Sequence, residues 1–185
     1  MNNQNIEETK KKEVNQTLRK WLRLLHIVFS LVWLGFIICI GVLIFFRPEP
    51  SNGTELRYIN AIIHRIDTTL MAFTPLASLL TGILLCWKTR WGFFRYWWVI
   101  VKLILTIAVI FISIIYLGPV APHLIEITSR LGLEALLDET YISYFSRLTI
   151  VNPINISLFL FMTYLSQFKP WGKRKKKRNQ DGSKS

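Results

Sequence analysis

Four stretches of this chain are almost entirely apolar, and the segments between them are polar. They run over 21–46 (WLRLLHIVFSLVWLGFIICIGVLIFF), 65–87, 97–118 (WWVIVKLILTIAVIFISIIYLG) and 148–168. Each is near the ~20 residues that a helix needs to cross a bilayer. The pattern predicts an all-α fold, an integral membrane four-helix bundle. Gly118 and Pro119 close the third helix, and Pro122 is expected to keep the chain from resuming helix at once. Between the third and fourth spans, LIEITSRLGLEALLDE alternates apolar and charged positions. That alternation predicts a short amphipathic helix lying on the membrane surface. The chain therefore divides into a basic N-terminal segment (1–20), a four-span domain (21–170) and a basic tail (171–185).

Composition agrees with the pattern. Of 185 residues, 51% are hydrophobic, and a soluble domain of this length would not contain such runs. The first run is too long for the apolar part of a signal peptide. Phe45, Phe46 and Arg47 follow it where a cleavage site would need small residues, so it reads as a retained span. Cys39 and Cys86 suit packing and are too few for a disulfide framework or a zinc site. No phosphate-binding loop, EF-hand, HExxH, CxxC or internal repeat is present.

Charge sets an orientation. Basic residues gather in the N-terminal flank (Lys10, Lys11, Lys12, Arg19, Lys20, Arg23), in the second loop (Lys88, Arg90, Arg95) and in the tail (Lys169, the run 173–178 and Lys184). The other side has Arg47, Arg57, Arg65, Arg130 and Arg147. By the positive-inside rule both termini are cytoplasmic. Trp21, Trp87, Trp91, Trp97, Trp98 and Trp171 fall at the same interface as an aromatic belt. The net charge of +12 thus needs no nucleic-acid partner. The tail run KRKKKR is expected to rest on anionic lipids of the bilayer.

Apart from Arg23, Arg65 and Asp67 at the ends of the runs, two charge-bearing side chains lie within them, His26 in the first and Lys102 in the third. A lysine near the centre of a membrane helix costs roughly 2.5–3.5 kcal/mol, less near an end, so both are candidates for function. Each is about five residues in from the cytoplasmic end, ~7–8 Å deep at 1.5 Å per residue, near the depth of Thr81. Helical spacing places His26 on a face with Ser30, Trp33, Ile37 and Gly41, and Lys102 with Thr106, Val109, Ser113 and Tyr116. Asp67, Met71, Thr74, Ser78 and Thr81 form the stripe of the second helix, with Gly82 beside it. The fourth is polar early, at Asn152, Asn155 and Ser157, and again at Thr163 and Ser166. Small and hydroxyl residues pack membrane helices, which accounts for these stripes but not for His26 and Lys102. A neutral imidazole is a good axial ligand for haem iron, and a lysine beside it could hold an acid side group of the macrocycle as an ammonium or, as a free amine, coordinate the iron itself. Alternatively, His26 is a hydrogen-bonded interior histidine and Lys102 reaches for nearby headgroups. His64, Asp67 and His123 at the outer side could form a metal site, against the plainer reading of interfacial polar residues.

The run LHIVFSLVWLG (25–35), with a histidine seven residues before a tryptophan, resembles the first span of the membrane protoporphyrinogen oxidases of the HemJ type. It is similar also to the copper-resistance CopD-type domain and to a related bacterial four-span family of unknown function. MAFTPLASLLTGILL (71–85) resembles their second span, and WWVIVKLILT (97–106) their tryptophan-rich third span with an inward lysine. Arg147, Asn152-Pro153 and Lys169-Pro170 resemble their fourth. Histidines that the HemJ type carries at the outer end of the first span and in the third are absent here, where VLIFFRPEP and AVIFISIIYLG stand. Valine, proline and isoleucine flank Asn152 where an acidic residue is usual. The resemblance implies a bacterial cell membrane, haem b as cofactor, His26 as ligand of the haem iron and Lys102 as a second cofactor-binding residue. Redox or porphyrin chemistry is the expected function, with a redox partner or a second copy of the chain as partner. Two alternatives stand beside it. One is a copper or ion transport accessory using His64, Asp67, Met71 and His123, for which three methionines give poor soft-ligand capacity. The other is a non-catalytic membrane assembly partner.

Overall fold

The computed structural model describes residues 3–88 and 96–171, with side chains from residue 16 onward. Every regular element among them is helical. The helices are α1 (Asn3–Phe45), α2 (Gly53–Ile66), α3 (Phe73–Lys88), α4 (Trp97–Phe111), α5 (Val120–Leu131) and α6 (Glu139–Phe168). π-helical turns at Asp67–Met71 and Ile112–Leu117 continue α2 into α3 and extend α4, and a 3₁₀ turn at Gly132–Leu137 follows α5. Four helical stretches are long and apolar enough to cross a membrane: Gln16–Phe45, Gly53–Lys88, Trp97–Leu137 and Glu139–Phe168. The chain is a multi-pass membrane protein built as an all-α four-helix bundle. α1 packs along α3 and α6, while α4 packs mainly on α6 and touches α3 only lightly. From Asn3, helix α1 runs unbroken into the first span. The tail run 173–178, most of the second loop and Trp91 lie outside the described residues.

Besides α1, which is longer at its start, the other spans exceed their expected bounds at the end of the bundle remote from the chain termini, here the distal end. The second is helical from Gly53 rather than 65, and the fourth from Glu139 rather than 148. Gly53–Lys88 comprises 36 residues, about 54 Å of helix against about 30 Å of hydrocarbon. The excess projects into water and supplies a platform for α5. That helix packs its apolar face on protein: Val120, Ala121, Leu124, Ile127 and Thr128 are buried against α2 and the start of α6. Pro122 does not delay it. The first turn of a helix has no use for a proline's missing N–H, so α5 begins at Val120 with Pro122 inside that turn.

Caps fix where the distal helices start. Asn52 accepts a hydrogen bond from the Glu55 amide at 2.9 Å, and Glu55 accepts one from the Ser51 amide at 2.8 Å. Asp138 caps α6 by accepting from the Tyr141 amide at 2.8 Å. At the other end, Lys169 closes α6 in the left-handed conformation (φ 47°), just before Pro170.

The core has two parts. A distal cluster joins Ile40, Ile44, Leu56, Ile63, Val120, Leu124, Ala135, Tyr141 and Leu148. A mid-bundle cluster joins Trp33, Ile37, Val109, Ile110, Phe159 and Met162, with Trp33 edge-on to Phe159 at 5.4 Å. Asn152 ties the two by donating from Nδ2 to the Ile37 carbonyl at 3.0 Å.

Two glycines lock the distal layer. A Cβ on Gly53 would lie 2.5 Å from the Gly132 Cα, and Gly132 itself holds φ at +59°. Backbone meets backbone there, so no side chain can turn aside. Gly53→Ala is expected to destabilise the protein by about 1–3 kcal/mol, and Gly132→Ala by a comparable amount through its φ. Thermal unfolding of the detergent-solubilised variants followed by circular dichroism checks this; an unchanged midpoint would refute the close packing.

Candidate functional site

The stripes read from helical spacing converge on one cavity. Its volume is about 690 Å³, within the range of cofactor pockets, and α1, α3, α4 and α6 wall it in the half of the bundle nearer the termini. His26 and Lys102 both line it, as their common depth predicts. Trp33, Phe159 and Met162 of the mid-bundle cluster close its floor.

His26 is held from α3. Its Nδ1 lies 2.9 Å from the Ser78 carbonyl oxygen and 3.2 Å from Thr81 Oγ1. A carbonyl can only accept, so Nδ1 carries the proton and donates it. In the neutral ring Nε2 then carries the lone pair, and no described residue bonds to it. The ring partner is thus a carbonyl across the helix interface rather than Ser30, whose hydroxyl pairs with Ser78 Oγ at 2.8 Å. Thr81 spends its own proton on the Ala77 carbonyl at 2.7 Å, leaving an oxygen to face the imidazole. Gly82 makes room for the ring: a Cβ there would stand 3.1 Å from His26 Cε1.

Lys102 Nζ donates to Ser166 Oγ on α6 at 2.9 Å, and the amine lines the cavity. Thr106, one turn deeper, donates to the Lys102 carbonyl at 2.8 Å and is also 3.4 Å from Met162 Sδ. Arg23 and Lys169, read from sequence only as orienting charges, line the same cavity, and no Asp or Glu does. The remaining lining is largely apolar, with Leu79, Ile83, Leu103 and Trp98 among it. Such a space suits an apolar body with acid groups at one end. Gly82, Arg23, Lys169 and the floor residues were not singled out as a site by spacing. The signal that could have found Arg23 and Lys169 is depth: each lies at the end of a span whose stripe enters the cavity.

The outer trio does not assemble. His64 and Asp67 are neighbours on one helical stretch, but His123 turns its Nδ1 to the Pro119 carbonyl at 2.6 Å and stacks on Tyr144. Among the described residues no three His, Cys, Asp or Glu side chains gather where they could hold a metal ion. Asn152 and Asn155, the polar start of the fourth stripe, are buried in the bundle and do not line the cavity. Ser157 points outward.

No family model, curated protein or solved structure matches the chain.

A ring tied at Nδ1 and open at Nε2 should react at Nε2. Diethyl pyrocarbonate is expected to acylate His26, and Gly82→Leu, which fills the space against the ring, to lower the yield several-fold. Peptide mass spectrometry of the full chain reads both, with exposed His123 as the internal control. Equal labelling of the two proteins would mean that the ring does not face the cavity.

Proposed function

We propose that this protein binds haem b in the cavity between α1, α3, α4 and α6, with His26 as the residue that would hold the iron, and serves redox or porphyrin chemistry in a bacterial cell membrane. The observation that carries the reading is the state of the His26 ring. A histidine that ligates metal donates its other ring N–H to a carbonyl or carboxylate, which fixes tautomer and orientation. His26 meets that requirement through the Ser78 carbonyl and has Nε2 unpartnered on a ring that lines a cofactor-sized cavity.

The donor set fits the group. His26 would ligate the iron, while Lys102, with Arg23 and Lys169 at the cavity rim, would hold the acid side groups. Haem bound there supplies one-electron chemistry. The chain's own residues do the rest. Ser78 and Thr81 orient the imidazole, Ser166 holds the ammonium at cavity height, and Trp33 and Phe159 seal the floor against the distal side. The apolar walls keep water from the ring and strengthen every charge interaction within. With both termini cytoplasmic, the cavity opens toward the cytoplasmic leaflet, and the tail run 173–178 rests on anionic lipid.

The test is a reduced-minus-oxidised absorption spectrum of detergent-purified protein from cells supplied with haem. Wild type is expected to give a b-type spectrum and His26→Ala to lose it. Lys102→Gln is expected to keep the spectrum and release haem several-fold faster to an apo-globin acceptor. A colourless wild type would refute the proposal.

A further inference from the structure

A second constellation lies at the distal end, outside the cavity. Arg147 sits on α6 with its guanidinium carbon 4.7 Å above the Tyr144 ring and 5.2 Å above the Tyr116 ring. Tyr116 belongs to the π-helical turn that extends α4, so the arginine bridges the two helices that form one wall of the bundle. His123 of α5 stacks on Tyr144 at 4.6 Å, 19° from parallel, and the Pro119 carbonyl holds its ring in place.

Among the described residues this arginine has cation–π partners and no ion pair or hydrogen bond: Arg130 with Glu126 is the one ion pair there. Rings packed over a guanidinium engage its face and leave the in-plane N–H groups open. Five donors in a fixed fork, with the side chain half-buried and no carboxylate to neutralise it, are preset for a bidentate oxyanion. Depth narrows the anion. From Arg147 to Phe168 α6 spans about 32 Å, so the guanidinium stands where the hydrocarbon ends and phosphate groups begin. Among the described residues, the other arginine near this layer with a ring contact, Arg47, faces Phe145 on the α1 side.

We propose that Arg147, framed by Tyr116, Tyr144 and His123, is a phosphate-binding site at the distal rim of the bundle. Its ligand is a phosphate ester held by the guanidinium fork, carried by a phospholipid headgroup or by a soluble phosphate. The site stands independently of the haem reading, since no residue is shared.

Thermal unfolding of the full chain in detergent tests it, with dihexanoyl-phosphatidylglycerol and inorganic phosphate as separate probes at constant ionic strength. Ligand that binds only the folded state raises the midpoint, by about 5 °C or more near a hundredfold excess over its Kd. The expected result is a rise with the lipid in wild type and in Arg47→Gln, and none in Arg147→Gln. A rise with inorganic phosphate of the same size assigns the site to a soluble phosphate. Should Arg147→Gln fail to fold, Arg147→Lys keeps a cation without the fork and is expected to weaken the lipid response several-fold. No rise with either probe, or an equal rise in the Arg147 variants, overturns the proposal.

Discussion

Hydrocarbon offers a polar side chain nothing to bond to, so a polar group inside this bundle is costly unless its own helix or a neighbour meets it, and few are left unmet, Trp33 Nε1, Asn152 Oδ1 and Asn155 Oδ1 among them. That requirement decides how the spans fit together. His26 reaches the Ser78 carbonyl, Ser30 reaches Ser78 Oγ, Lys102 reaches Ser166 and Asn152 reaches the Ile37 carbonyl. Each bond joins two different helices, and each crosses at a narrow stripe of small or polar residues. A net hydrogen bond contributes only about 0.5–1.5 kcal/mol, but an unmet partner costs about 1–3 kcal/mol, so register is fixed more by penalty than by gain.

Packing follows a different rule at each end. Between 17% and 33% of each apolar window is buried inside the protein, so most of the span surface faces lipid. No hydrophobic driving force joins helices there, and a large cavity can persist between them. At the distal end the helices leave the membrane, water returns, and side chains pack to completion: Leu56, Val120, Leu124 and Ala135 are fully buried. The tight distal layer holds the four spans at one end. The other end stays open enough for a site.

How much of this was legible depends on what sets each feature. Span number and the shared depth of His26 and Lys102 follow from hydropathy and helical rise, and both could be read directly. The extra length of α2, α5 and α6 could not, because amphipathic helices in water look the same whether they rest on a bilayer or on each other. Helical phase was legible only within unbroken α-helix. Tyr116 shares the Lys102 stripe by ideal spacing, yet the π-turn at Ile112–Leu117 alters the angle per residue and leaves Tyr116 exposed. The site was legible as two residues. Its walls were not, since Gly82, Phe159 and Met162 owe their role to tertiary contact with no charge or rarity to mark them.

The attachment of α4 has a mechanical consequence. Along its length this helix leans chiefly on α6 and only lightly on α3, and it joins the distal layer through the Gly118–Pro119 joint. Among the described residues its contacts with the other spans therefore concentrate along one seam. Widening the cavity strains the α4–α6 seam, including Lys102 to Ser166 and Thr106 to Met162, while α1 and α3 keep their shared bonds to His26. The more lightly held wall carries the ammonium, and the wall bonded across α1 and α3 carries the imidazole.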